Sequence, residues 1–428
     1  VDTELMLGLL DRAGYEITGV EQDADVIIVN TCGFITPAKE EAINTILEIA
    51  CLKDKGRLRS LLVAGCLSQR YGRALLEQMP EVDGVLGIGA VPDIAGIVRR
   101  ALRGEKLCAV GSPVYNHSAD MPRIITTPPY TAYVKIAEGC NNRCSYCAIP
   151  SIRGDYRSRD MESVVCEVDD LRQRGVKEVV LVAQDTTAYG LDIYGRRKLA
   201  GLLRKLAAGG PPWIRMMYCY PTGFTQELME VMAEYENICR YVDMPLQHAS
   251  PGILKLMNRQ GTIRQIKDLI TGLRRLLPGI AIRSTFMVGF PGETRADFDG
   301  LLSFMDEMRF ERAGVFKFSP EEGTPAANMP GQVPEELKEE RYSRAMELQQ
   351  QISIEHNLSL VDKVVNVLVE ECPTVRSNLY RGRSAADAPE IDGVVYFSAS
   401  SAAPLTGDLV RVRVTRAYEY DLRGVLVK

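Results

Sequence analysis

Apolar and polar positions repeat along this chain with two periods, and the places where one gives way to the other divide it. Residues 1–14 have the spacing of an amphipathic helix closed by Gly14. Short apolar runs at 24–30, 61–64 and 82–88 read as buried strands. Helical stretches separate them. One opens with Thr36 as N-cap and Pro37 at the first helical position and runs to about Ala50; the other covers about 69–79. Strands alternating with helices predict a parallel sheet covered by helices. Residues 111–129, rich in Pro, Ser and Thr, read as a linker.

From Tyr130 the alternation restarts with a longer period. Six strand candidates follow, at 132–136, 178–183, 214–218, 241–244, 280–288 and 314–318. Helical patterns lie between them, such as 162–174 closed by Gly175 and 264–276 closed by Pro278. Six βα units in series predict a partial or complete βα barrel, and a long polar helix at about 334–356 leads out of it. From about Leu360 the elements shorten to strand-like runs at 366–369, 393–397 and 408–415. In the last, Val410, Val412 and Val414 alternate with Arg411, Arg413 and Thr415, the pattern of a half-buried strand with a basic outer face. The expected fold class is α/β: a parallel α/β domain over residues 1–110, the linker, a barrel over 130–356, and a small all-β domain over 360–428.

The bulk numbers narrow this picture. A chain of 428 residues is too long for one ordinary core, and 46% hydrophobic with 25% charged residues is a globular composition. No apolar run approaches the roughly 20 residues that span a bilayer, so no transmembrane helix and no membrane partner are expected. The opening residues do not read as a secretory signal. A formal net charge of -5 does not advertise nucleic-acid binding. Eleven cysteines, an odd number in a large chain, argue against a secreted disulfide scaffold. They argue for a reducing, cytoplasmic setting in which some thiolates bind metal.

The chemistry is concentrated in EGCNNRCSYCAIP, where Cys140, Cys144 and Cys147 stand in a C-x3-C-x2-C arrangement after the first barrel strand. Barrel active sites lie at the C-terminal ends of strands, where this loop falls. Three thiolates on a tight loop suit an iron–sulfur cluster, and three ligands for four irons leave one iron open for catalysis. A zinc knuckle is the bland alternative, but its nearest downstream fourth ligand, Cys166, sits in a helix pattern. With Tyr146 in the aromatic place, the motif resembles the signature of radical S-adenosylmethionine (SAM) enzymes. The resemblance implies a 4Fe–4S cluster whose open iron chelates SAM, and reductive cleavage of SAM to a radical that abstracts hydrogen from an unactivated C–H bond.

Cys32 and Cys66 each follow a predicted parallel strand, in VNTCGFI and VAGCLSQRY, so both thiols fall at one edge of the sheet. Position alone allows either metal ligands or buried structural thiols. Taken in order, NTCGFI, AGCLSQRY, the cysteine loop and the terminal β domain resemble the radical SAM methylthiotransferase family over nearly the whole chain. The resemblance implies a second 4Fe–4S cluster held by Cys32, Cys66 and a further cysteine, expected in a G-C-x-x-N motif a few residues before Val1. It implies that this cluster presents a sulfur methylated by one SAM, while the barrel cluster makes the radical from another. It further implies an electron donor such as flavodoxin or ferredoxin; the sulfur donor stays open.

Other residues give weaker signals. Gln184 and Asp185 follow the second barrel strand and either reach the cofactor or substrate or cap the next segment. Gln247, Arg283 and Thr285 sit where SAM contacts come from, and His248 reads as a structural hydrogen-bonding residue. The long motifs LVAQDTTAYG, MPLQHASPGILKLMNR and GRSAADAPEIDGVVYF resemble the family branch that modifies an aspartate β-carbon in small-subunit ribosomal protein twelve, with the terminal β domain (TRAM-like) as its docking module. Nine Lys or Arg stand against nine Asp or Glu from Val361 to Lys428, a neutral balance that suits a basic protein loop at least as well as RNA. The transfer-RNA adenosine branch and a non-catalytic iron–sulfur protein that docks on ribosomes are the alternatives.

Overall fold

The computed structural model describes residues 1–115, 117–374, 379–399 and 403–427, and the chain divides into two compact units. The first gathers Val1–Thr126, Ala137–Ser163 and Ser319–Asn328; the second holds Thr127–Ile136, Val164–Phe318 and Met329–Lys428. Asn116, in the expected linker, and Lys428, at the end of the expected β domain, lie outside the described residues.

In the first unit four parallel strands, Val26–Thr31, Ser60–Gly65, Gly84–Leu86 and Leu107–Ala109, pair in chain order. Side chains alternate across the second strand. Leu62 and Ala64 pack with Leu5, Leu9, Ile94 and Ile97 from the helices Asp2–Arg12 and Ile94–Ala101. Leu61 and Val63 pack with Ile46, Ile49 and Leu67 from the helices Thr36–Ala50 and Cys66–Gln78. Both faces are therefore covered, as a parallel sheet requires.

Three details depart from the sequence reading. Ile35 and not Thr36 is the N-cap, because the Thr36 N–H and hydroxyl both donate to the Glu321 carboxylate. The helix after the second strand starts at Cys66 instead of near Gln69. Gly65, with φ of +96°, turns the chain directly from strand into helix. Leu107–Ala109 is a fourth strand, too short to stand out as an apolar run. Residues 117–126 have no helix or strand, yet they are tied down: Arg123 pairs with buried Glu4 at 2.6 Å, and the Thr126 N–H donates to the same carboxylate.

In the second unit all six expected strands form, as Thr131–Lys135, Glu178–Val182, Trp213–Met216, Tyr241–Gln247, Ala281–Val288 and Arg312–Lys317. They make two three-stranded parallel sheets in chain order, linked where Ile214 bridges Ile238 and the Cys239 N–H donates to Ile214. The long helix Glu335–Leu358 follows. The terminal domain is a closed five-stranded barrel, ordered Val364–Glu371, Tyr380–Ser384, Val395–Ser398, Leu422–Val427 and Leu409–Ala417. Val367, Val369, Val395, Phe397, Val412 and Val414 fill it. Among the described residues no helix is long and apolar enough to cross a membrane.

Candidate active site

The chain leaves the strand Thr131–Lys135 into a loop closed at its base by a two-residue antiparallel ladder, Ala137 with Ser158 and Glu138 with Arg157. Gly139 has φ of +80°, and a Cβ there would stand 2.2 Å from the Asp155 carbonyl oxygen, so only glycine fits. Beyond it the Cys140 N–H donates to the Gly154 carbonyl at 3.2 Å and the Cys147 N–H to the Cys144 carbonyl at 3.0 Å. These bonds fold the loop back on itself. Cys140, Cys144 and Cys147 are all half-buried, as is Tyr146 between the last two.

Three half-open thiols on one loop are the donor set that an iron–sulfur cluster takes. Among the described residues no group of three or more His, Cys, Asp or Glu side chains is already gathered so as to hold a metal ion.

The same unit holds Cys32 and Cys66. Thr31 pairs with Gly65 in parallel register, so the next residue of each strand emerges at the same sheet edge. Gly33 lies directly against the helix Cys66–Gln78, where an added Cβ would stand 2.7 Å from the Leu67 nitrogen. Cys32 is exposed and Cys66 is 7% exposed. Burial pushes the Cys66 thiol up, the Arg153 guanidinium opposes that, and Cys32 adds to the rise, so the two thiols feel each other. Cys66 also packs with Ile88, Ala148 and Ile152, the latter two one and five residues after Cys147 in the chain. The structure thus brings the Cys66 edge against the cysteine loop.

Sequence reasoning missed the polar residues that hold this arrangement. Glu321, 2% exposed, accepts from the Thr36 N–H and hydroxyl, from Lys39 at 2.9 Å and from Ser319. Arg70, 3.7 Å from Glu321, donates to the Gly33 carbonyl at 3.0 Å and to the Glu322 carbonyl, fixing the segment beside Cys32. Burial alone would raise the Glu321 carboxyl, but Lys39 and the Thr36 N–H outweigh it and hold the group below the usual carboxylate range. Arg153 reaches both Glu138 and Cys66. The one available sequence signal was the basic stretch SIRGDYRSR directly after the loop.

The remaining candidates belong to the second unit. Asp185 acts as a cap: its carboxylate accepts from the Ala188 N–H and, at 2.6 Å, from the Thr187 hydroxyl. Gln184 is half-buried beside it. Gln247 ends its strand in a left-handed conformation, φ +74°, after a bulge. Arg283 is engaged by Asp243 at 2.8 Å and Asp392 at 3.4 Å, and Thr285 lies two residues further along the same strand face. His248 is wholly buried, with Nδ1 accepting from the Ala249 and Ser250 N–H groups and Nε2 3.5 Å from Glu293. Cys219 and Cys239 are buried thiols, the latter pushed by burial up to about 11, whereas Cys51, Cys108 and Cys166 are exposed.

Comparisons with known proteins agree with this architecture. Residues 134–305 match the radical SAM superfamily, residues 1–87 the family described as Uncharacterized protein family UPF0004, and residues 361–427 the TRAM domain. A solved structure of the radical SAM methyltransferase TsrM from Kitasatospora setae, with cobalamin and a [4Fe–4S] cluster bound, shares the fold at TM-score 0.57 and 16% identity. It covers 76% of this chain and 73% of its own. Fold and loop together define a radical SAM enzyme, a class whose cofactors are an iron–sulfur cluster and SAM, with a TRAM β-barrel at its C-terminal end.

The curated relatives are closer. The ribosomal protein uS12 methylthiotransferase RimO of Pelotomaculum thermopropionicum is 54% identical over 100% of this chain and 96% of its own length. That of Heliobacterium modesticaldum is 53% identical over 99% and 92%, and that of Geobacter sulfurreducens 48% over 100% and 96%. The chain belongs to the RimO family of radical SAM methylthiotransferases.

Proposed function

We propose that this protein adds a methylthio group to the β-carbon of an aspartate in ribosomal protein uS12, using SAM and two 4Fe–4S clusters. The observation that supports it most is that Cys32, Cys66 and the Cys140–Cys147 loop all belong to one compact unit, with Cys66 packed on the loop. Whole-length identity to relatives named for uS12 supplies the substrate. Cys140, Cys144 and Cys147 hold one cluster; Cys32 and Cys66 contribute to the other. When bound, the clusters and SAM supply a carbon-centred radical and a methylated sulfur.

The chain's own residues do the rest. Gly139 and the Cys140–Gly154 hydrogen bond shape the loop, and Glu321 and Arg70 anchor the Cys32–Gly33 segment. Tyr146, Gln184, Asp185, Gln247, Arg283 and Thr285 are proposed cofactor contacts. The TRAM domain docks the ribosomal protein, a flavodoxin or ferredoxin supplies electrons, and the working domains divide at residues 110, 130 and 360.

The test is an oxygen-free reaction of reconstituted full-length protein with SAM and a reductant, offered a uS12 peptide or transfer RNA. A methylthio mass gain on the peptide aspartate is the expected result. A gain on RNA instead moves the substrate to the other branch, which the exposed Arg411 and Arg413 of the terminal barrel would then serve. Cys66→Ala should leave SAM cleavage intact and abolish sulfur insertion, whereas Cys144→Ala should abolish both.

A further inference from the structure

We propose that Arg153 couples the two cysteine sets: it holds the Cys66 sulfur against the radical-generating loop and raises the reduction potential of the cluster that Cys66 binds. The proposal rests on the reading of Cys32 and Cys66 as cluster ligands. Arg153 ends the short helix Ile149–Arg153, six residues after Cys147. Its guanidinium divides among three partners, two carboxylates and a thiol. Nη1 donates to Glu138 Oε1 at 2.5 Å and lies 3.6 Å from Asp2 Oδ2, while Nη2 donates to Cys66 Sγ at 3.3 Å.

Glu138 is 3% exposed and stands two residues before Cys140. The residues flanking the cysteine loop on both sides therefore close on each other, and the Arg153 cation of that pair also closes on Cys66. Ile88, Ala148 and Ile152 pack with Cys66, so the contact lies beside apolar side chains.

The physical consequence follows from the donor. A guanidinium keeps its proton at every working pH, so the charge beside the sulfur is fixed. Hydrogen bonds and positive charge at cluster sulfurs favour the reduced, more negative state and raise the potential. Partial burial keeps solvent from screening the effect. Glu138 holds the guanidinium in place and offsets part of its charge, so the two residues act with opposite sign on the same sulfur.

The experiment uses full-length protein in which Cys140, Cys144 and Cys147 are all changed to Ala, so that only the N-terminal cluster can assemble. Iron and sulfide content and an EPR-monitored redox titration are compared for this background and for the same background with Arg153→Gln, Arg153→Lys or Glu138→Gln. Thermal unfolding reports whether each variant folds. The expected result is a more negative midpoint for Arg153→Gln, a smaller shift for Arg153→Lys and a more positive midpoint for Glu138→Gln. A purely structural role would not reverse sign between neighbours. Full iron content with an unmoved midpoint in both Gln variants, or shifts in the same direction, overturns the proposal. If the background binds no iron even with Arg153 present, the second-cluster reading fails first and the proposal falls with it.

Discussion

At Gly139 a missing Cβ decides the shape of the cysteine loop. The backbone is left-handed, and the space a methyl group needs is taken by the Asp155 and Gly154 carbonyls, 2.2 and 2.6 Å from the ideal Cβ position. Gly175 is as left-handed, φ +94°, but has nothing within 4 Å. Gly175→Ala should therefore cost about 1 kcal/mol of backbone strain and leave cluster loading intact. Gly139→Ala should add a steric displacement that breaks the Cys140–Gly154 bond and lowers bound iron severalfold. Iron per chain and thermal midpoint of the two variants distinguish the effects. Glu321 gives a second test at this scale. A carboxyl whose folded pKa is depressed contributes stability above its unfolded value near 4.3 and loses it as pH falls through the folded value. Glu321→Gln should thus cost about 1–3 kcal/mol at neutral pH. In denaturant titrations that gap should narrow as pH falls below the usual carboxylate range; a gap that does not change with pH would show that ionisation of Glu321 contributes nothing.

At the scale of elements, the helix Glu335–Leu358 shows what a sequence pattern conceals. It reads as a polar helix leading out of the barrel, yet it buries Lys338, Arg341, Gln349 and Asn357. Each has a partner: the Phe318 carbonyl, Glu293, the Phe310 carbonyl and the Tyr418 carbonyl. Near its end burial and neighbouring Arg312 push His356 down to about 4. The folded chain then binds fewer protons than the unfolded one between about pH 6.5 and 4. Stability is full above pH 6.5 and declines as pH falls through that window, by about 2 kcal/mol after solvent screening. His356→Gln should flatten that slope in urea titrations run from pH 7 to pH 4. The same limit explains which elements were legible. Strands made of apolar runs, such as Ala281–Val288, stand out, whereas Tyr380–Ser384 (YRGRS) does not, because its buried residues include Arg383, paired with a carboxylate 205 residues away. Among the candidate site residues, Cys140, Cys144 and Cys147 stand out by local spacing, whereas Cys32 and Cys66 needed the family resemblance, since their places after strands suit buried structural thiols equally well. Arg153 and Glu321 were not legible, because they meet their partners across 87 and 285 residues.

At the scale of the molecule, the second unit is cross-linked by buried charges. Glu178, at the start of the second barrel strand, lies between Arg215 at 2.8 Å and Arg383 of the terminal domain at 2.5 Å, all essentially without exposure. Arg312 pairs with Asp387 at 2.7 Å, and the Tyr241 hydroxyl donates to Asp392 at 2.7 Å. Ala388, with half-buried Ala385 and Ala386, packs on Tyr130, Val180, Trp213 and Tyr241. Desolvating such ions is costly, and the cost is offset only while every partner is present. Glu178→Gln leaves two guanidinium groups facing a neutral amide and should destabilise by about 3–5 kcal/mol. Removing residues 361–427 would strip Arg312 of Asp387 and Tyr241 of Asp392 together, which makes the TRAM barrel a structural part of the βα sheets and not an appended module. Calorimetry should therefore show the βα sheets and the terminal barrel unfolding in one transition. Its midpoint should move little between 0.1 and about 1 M salt, because buried pairs are poorly screened. A separate, salt-sensitive transition for the terminal barrel would mean that these ion pairs exchange with solvent and that the two parts are stable alone.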